Sequence, residues 1–120
     1  MIYIGESAFK NCKQLQSLSI EYSNDLIIDT EAFCNCSNLQ NVDLICHNNA
    51  KLSIADRAFH RCYSLSSINF PDNIIHIGES CFQRCYSLAN IKLPDTIQTL
   101  GDAAFSDCIR LSSINIPKEI

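Results

Sequence analysis

Eight cysteines and three histidines stand among 120 residues. Thiols and imidazoles are the side chains from which zinc sites, disulfides and thiol nucleophiles are built. Cys34-x-Cys36 followed by Cys46-His47 puts four candidate metal ligands within 14 residues. Structural zinc wants ligand pairs that converge on one point. A Cys-x-Cys step in a helical turn points its two sulfurs apart, so the spacing argues against metal. His47, His60 and His76 have no nucleophile at a matched position, and no nucleophile–base pair is expected. Asn35-Cys36-Ser37 fits the glycosylation triplet around a cysteine whose spacing marks it as core. The three glycines lie far apart, and no Gly-x-Gly phosphate loop occurs. The chain is read as having no catalytic residue, no metal site and no cofactor.

The cysteine spacing points to architecture instead. Phe occurs at 9, 33, 59, 82 and 105, and three residues after each comes Cys12, Cys36, Cys62, Cys85 or Cys108. Three further on stand Leu15, Leu39, Leu65, Leu88 and Leu111, and three beyond those Leu18, Val42, Ile68, Ile91 and Ile114. Another apolar residue follows two later: Ile20, Leu44, Phe70, Leu93 or Ile116. Five copies of Phe-x-x-Cys-x-x-Leu-x-x-Ile-x-Leu make a repeat, with Phe spacings of 24, 26, 23 and 23. Five of the eight cysteines therefore share one register position. Turned inward, a thiol is a small hydrophobe with a weak S–H donor, suited to a slot beside turn carbonyls. Cys81 replaces the Ala of the other units and packs with them. Cys34 and Cys46 are off-register and are expected to be exposed. The spacing leaves disulfide pairing open.

Two periods position these residues. The end of each unit alternates apolar and polar, with Ser19, Asp43, Asn69, Lys92 and Asn115 between the aliphatics, which predicts a half-buried strand. Before it, apolar residues recur every third position, which predicts a short helix or 3₁₀ turn. Glu6, Glu31, Asp56, Glu79 and Asp102 stand at or beside the start of that turn, where negative charge suits a helix dipole. Pro71, Pro94 and Pro117 end ladder pairing. A second short extended piece follows, such as residues 73–77 or 96–100. A unit of about 23 residues cannot bury its apolar side alone, so units must stack. The expectation is one domain over 1–120, with units near 4–27, 28–53, 54–76, 77–99 and 100–120. The strands would lie parallel in one curved sheet, with the helical turns opposite. No capping pattern is apparent, and open ends would invite end-to-end self-association.

This pattern resembles the BspA-like (Treponema-type) leucine-rich repeat, whose units read Ile-Gly-x-x-Ala-Phe-x-x-Cys-x-x-Leu-x-x-Ile-x-Leu-Pro. The run from Ile77-Gly78 to Leu93-Pro94 matches it at every position but Cys81. The resemblance implies an α/β repeat solenoid, a right-handed leucine-rich-repeat array with a parallel sheet on its concave face and short helical turns on its convex face. It also implies a protein–protein interaction module in surface adhesion or host-protein binding, at the cell surface or secreted. The alternative is a structural spacer with no ligand of its own.

Composition narrows the partners. Net charge is −4 with pI near 5.2, against the basic footprint of nucleic-acid binding. With 47% hydrophobic and 18% charged residues the chain is no disordered segment. No apolar run approaches the roughly 20 residues of a membrane helix, and the opening Met-Ile-Tyr-Ile-Gly-Glu does not read as a signal peptide. The expected partner is a protein of unknown identity. Its candidate contacts are the outward residues of the alternating strands: Ser17, Ser19, Asn41, Asp43, Ser67, Asn69, Asn90, Lys92, Ser113 and Asn115. Such a face spans a few hundred Å², below the roughly 800 Å² per partner of a standard interface, and alone it should bind weakly. His60 is expected on the solvated surface, and Tyr63 and Tyr86 as stacked aromatics on a flank.

Overall fold

The computed structural model describes residues 1–112, 114 and 115; Ser113 and residues 116–120 fall outside the described part. Eight short strands run in chain order: β1 Ile2–Ile4, β2 Ser17–Tyr22, β3 Leu26–Ile28, β4 Asn41–Cys46, β5 Leu52–Ile54, β6 Ser67–Ile68, β7 Ile74–Ile77 and β8 Thr99–Leu100. Every pairing is parallel, as stacked units require. The strands form two sheets where the sequence suggests one. The alternating segments give the smaller, β2-β4-β6. The second extended pieces give the larger, β1-β3-β5-β7-β8. Their inward residues explain it: Leu26, Ile28, Leu52, Ile54, Ile74 and Ile77 are buried, so these segments stack too, with one β-bulge where Leu52 pairs Ile74 and Ser53 pairs His76. No helix among the described residues is long and apolar enough to cross a membrane.

Between the sheets the Phe side chains form one column. Phe9, Phe33, Phe59, Phe82 and Phe105 stack with centroids 5.2–5.3 Å apart and near-parallel planes. The three inner rings are fully buried, each contributing about 2–3 kcal/mol of apolar burial. Columns of Cys and Leu run beside them, and no polar or charged residue among those described is buried.

The turns correct the helical expectation: among the described residues they contain no helix. Alternate amides divide their hydrogen bonds. In the first unit the N–H groups of Ala8, Lys10 and Cys12 donate to carbonyls three residues back, closing β-turns. Those of Ser7, Phe9 and Asn11 donate to Thr30, Ala32 and Cys34 in the next unit. A 3₁₀ helix would use every N–H internally and leave none for the neighbour. The apolar period of three is real, but here it belongs to linked turns. Two turn residues per unit accordingly adopt positive φ, one in the line Ser7, Glu31, Arg57, Ser80, Ala103 and one in the line Asn11, Asn35, Arg61, Arg84, Asp107; Asn48 and Asn49 do so in the loop after β4. With no helix there is no dipole for the turn carboxylates. Asp56 instead accepts the Glu79 N–H at 2.8 Å, and Glu31 meets Lys10 at 3.2 Å.

Neighbouring backbones pass close where two units carry Gly. A Cβ on Gly78 would lie 2.5 Å from the Asp56 nitrogen, and one on Gly101 would lie 2.3 Å from that of Glu79. Gly5, on the outer side of the first unit, has nothing within 4 Å.

Candidate functional site

Four of the five ladder thiols do structural work at a carbonyl. Cys36, Cys62, Cys85 and Cys108 donate S–H to the carbonyls of Phe9, Phe33, Phe59 and Phe82 at 3.1–3.2 Å, each one unit back. Burial pushes the thiols of Cys36 and Cys108 up to about 11, and those of Cys62 and Cys85 well above the ordinary value. Burial raises Cys81 as well. All eight cysteines are free. Reactive cysteines need depressed pKa values and exposure, and these inner thiols have neither.

The off-register cysteines do not behave as expected. Cys34 is buried, because the slot after Phe is only half-open between stacked turns, and Cys46 is half-buried. The Cys34 sulfur lies 4.0 Å from Nδ1 of His60, which is half-buried rather than solvated. Burial lowers the His60 pKa, and Arg61, Arg84 and Arg57 lower it further. Burial raises that of Cys34, with the Glu31 charge adding to it. Both shifts favour neutral thiol and neutral imidazole, the opposite of an activated pair. Cys46 donates to the Ala50 carbonyl at 3.1 Å in the loop after β4, and His47 meets Glu21 at 2.6 Å. His76 bonds the Thr99 hydroxyl across β7 and β8, a partner the sequence did not suggest. Among the described residues no three His, Cys, Asp or Glu side chains converge as a metal site would require. Tyr63 and Tyr86 stack at 5.2 Å.

The alternating strands carry the candidate contacts. Ser17 and Ser19 on β2, Asn41 and Asp43 on β4, Ser67 on β6, and Asn69, Asn90, Lys92 and Asn115 beyond the strand ends are exposed, while Ser113 lies outside the described residues. Their surroundings differ. Ser67 donates to the Asn41 side-chain oxygen at 2.9 Å. The Asn69 side chain accepts the Leu44 N–H at 2.9 Å and donates to the Leu44 carbonyl at 3.0 Å. Asn115 does the same to Leu93, at 3.1 and 2.9 Å.

Proline explains why two Asn side chains join the backbone ladder. The register Asn41↔Ser67, Val42↔Ile68 carries Leu44 opposite Phe70. The N–H due to its carbonyl would come from residue 71, and Pro71 has none. The Asn69 amide supplies both the missing donor and an acceptor, and β6 ends after Ile68. The sequence repeats the device as Asn115-Ile116-Pro117. The fourth unit reads Lys92-Leu93-Pro94, with no amide to replace the proline's missing donor. There the ladder opens. β4 pairs β6, and Ile91 bridges Ile114, but no strand pairing joins the third unit to the fourth on this face. The turn side stays closed, with Phe59 and Phe82 at 5.3 Å. Phe70, the bulkiest residue at its register position, packs edge-on against Phe82. A cleft of about 470 Å³ occupies the opening, lined by Ile68, Asn69, Phe70, Asn90, Ile91 and Lys92, with Asp72 and Pro94 at its end. The sequence held the signal, an Asn two residues before Pro in two units and a Lys in the third.

Comparison with known proteins agrees with the geometry. A model of the BspA type leucine-rich repeat region matches residues 2–120 with six copies, against the five Phe-headed units counted above. The chain superposes on a Treponema pallidum leucine-rich repeat protein with a TM-score of 0.87 and 31% identity over 98% of its length. A Bacteroides ovatus leucine-rich repeat protein gives 0.85 and 33% over 99%. The chain spans 53% of the first structure and 31% of the second. No curated protein matches it. A parallel solenoid of repeated Phe-Cys turns, matched along nearly its whole length, places this chain in the BspA-type leucine-rich repeat family.

Proposed function

We propose that the chain is a protein-interaction repeat module whose alternating-strand side carries the contact, in surface adhesion or host-protein binding. The supporting observation is the division within that face. Asn69 and Asn115 are engaged with backbone, whereas Ser17, Ser19, Asp43, Asn90 and Lys92 stand exposed without side-chain hydrogen bonds to the described residues. Solenoids use such extended faces for recognition. The module is read as non-enzymatic, with no cofactor and no nucleic-acid or membrane-inserted partner.

The test immobilises the chain beside a variant carrying Asn90→Arg and Lys92→Glu, and passes secreted and surface proteins of cultured host cells over both. Proteins kept by the first and lost by the second support the reading. Retention indifferent to both changes favours the spacer, which carries other domains and binds nothing itself.

A further inference from the structure

We infer that the cleft between the third and fourth units binds a primary carboxamide, the side chain of an Asn or Gln presented by a partner protein. The inference rests on the interaction reading of this face and names the chemistry of its contact. Three successive proline-ended strands face one problem, a carbonyl whose ladder donor is missing. Two are solved within the chain by an Asn amide, which gives N–H to the carbonyl and takes the N–H of the same residue. At Phe70 the third is left open, because Lys92 stands where the Asn would be. The Phe70 N–H and C=O have no hydrogen-bond partner among the described residues, and the space beside them is a cleft.

The open pair is selective. It needs one donor and one acceptor held side by side. An ammonium such as that of Lys92 offers donors only, and an ionised carboxylate acceptors only. A trans peptide group turns its N–H and C=O to opposite sides, so it cannot meet both atoms of one residue. A primary carboxamide carries both on one carbon, as Asn69 and Asn115 show in place. The apolar Ile68, Phe70 and Ile91 at the cleft strengthen such bonds by excluding water.

The test is amide NMR on the labelled chain with three short peptides that differ at one residue, Asn, Asp or Leu. The Asn peptide should shift the Phe70 and Ile68 amides saturably, and the other two should not. A second chain carries Lys92→Asn, an exposed change that supplies the amide internally. Exchange of the Phe70 amide should then slow about tenfold, the effect of forming two hydrogen bonds, and the peptide shift should vanish. Equal shifts from the Asp peptide overturn the proposal, as does an Asn-peptide shift that survives Lys92→Asn. Unchanged Phe70 exchange in that variant overturns it too. The peptide shift reports the cleft alone and host-protein retention reports the whole face, so the two readings fail separately.

Discussion

The turn side and the alternating-strand side of this solenoid are built from the same five units yet obey different rules. On the turn side every unit gives its neighbour the same three backbone hydrogen bonds, the same stacked Phe and, in four of the five, the same thiol-to-carbonyl bond. On the strand side β2 and β4 pair over six residues, β4 and β6 over two, and the third and fourth units not at all. Identical stacking on one side leaves the other free to vary. The difference lies in which groups lack alternatives. A buried turn amide that loses its partner has no water to turn to, while an exposed strand end can exchange a backbone bond for a side chain or for solvent.

That contrast can be attacked from its strongest point downward. The largest expected effect is loss of the fold at high pH. The thiols of Cys36, Cys62, Cys85 and Cys108 hold their protons more tightly folded than unfolded, so their contribution is complete below the ordinary thiol pKa of about 8.5. It is lost as pH rises through about 11, the value of Cys36 and Cys108. Denaturant midpoints should be flat up to about pH 8 and fall steeply by about pH 10.5; a flat profile throughout would remove the thiols from the spine. Next comes Phe59→Ala, which empties the centre of the column and should cost about 3–5 kcal/mol. Phe9→Ala should cost about 1 kcal/mol, since that ring is 46% exposed and already in water on one side. Calorimetry of both variants checks the ratio, and equal losses would mean that the column is not the core.

Gly78→Ala follows. Its Cβ would meet the Asp56 backbone, and overpacking of this kind costs about 1–3 kcal/mol. Gly5→Ala meets nothing and should add about 0.4–1 kcal/mol by restricting the unfolded chain. Opposite signs in thermal melts are the result to look for. The smallest effect belongs to the strand side. Asn69→Ala removes the amide that replaces the missing Pro71 donor and should cost about 1–2 kcal/mol, although the residue is exposed. Asn90→Ala, equally exposed and unbonded, should stay within about 0.5 kcal/mol. Equal urea midpoints for the two would contradict the role given to Asn69.

Much of this was legible in the residues. The Phe and Cys columns could be read from register, because stacking converts a repeated position into a repeated contact. The linked turns could not, because i→i−3 hydrogen bonds give the same apolar period in a helix as in successive turns. Asn11, Asn35 and Asp107 did carry a hint, since these types tolerate positive φ; Glu31, Arg57 and Ala103 carried none. Cys34 was misplaced because its burial comes from the neighbouring turn and His60 rather than from its own sequence surroundings. Asn69 looked like a contact residue because exposure and strand period predicted one. Only the proline two residues later reveals that its amide has a backbone task.

The most direct test of the division between the two sides is native-state amide exchange, residue by residue. The amides of Phe33, Phe59 and Phe82, which donate to Ala58, Cys81 and Ala104, should exchange only through global unfolding. Those of Phe70, Asn90 and Lys92 beside the open cleft should exchange orders of magnitude faster. Equal protection on both sides, or slower exchange at the cleft than along the turns, would contradict the account.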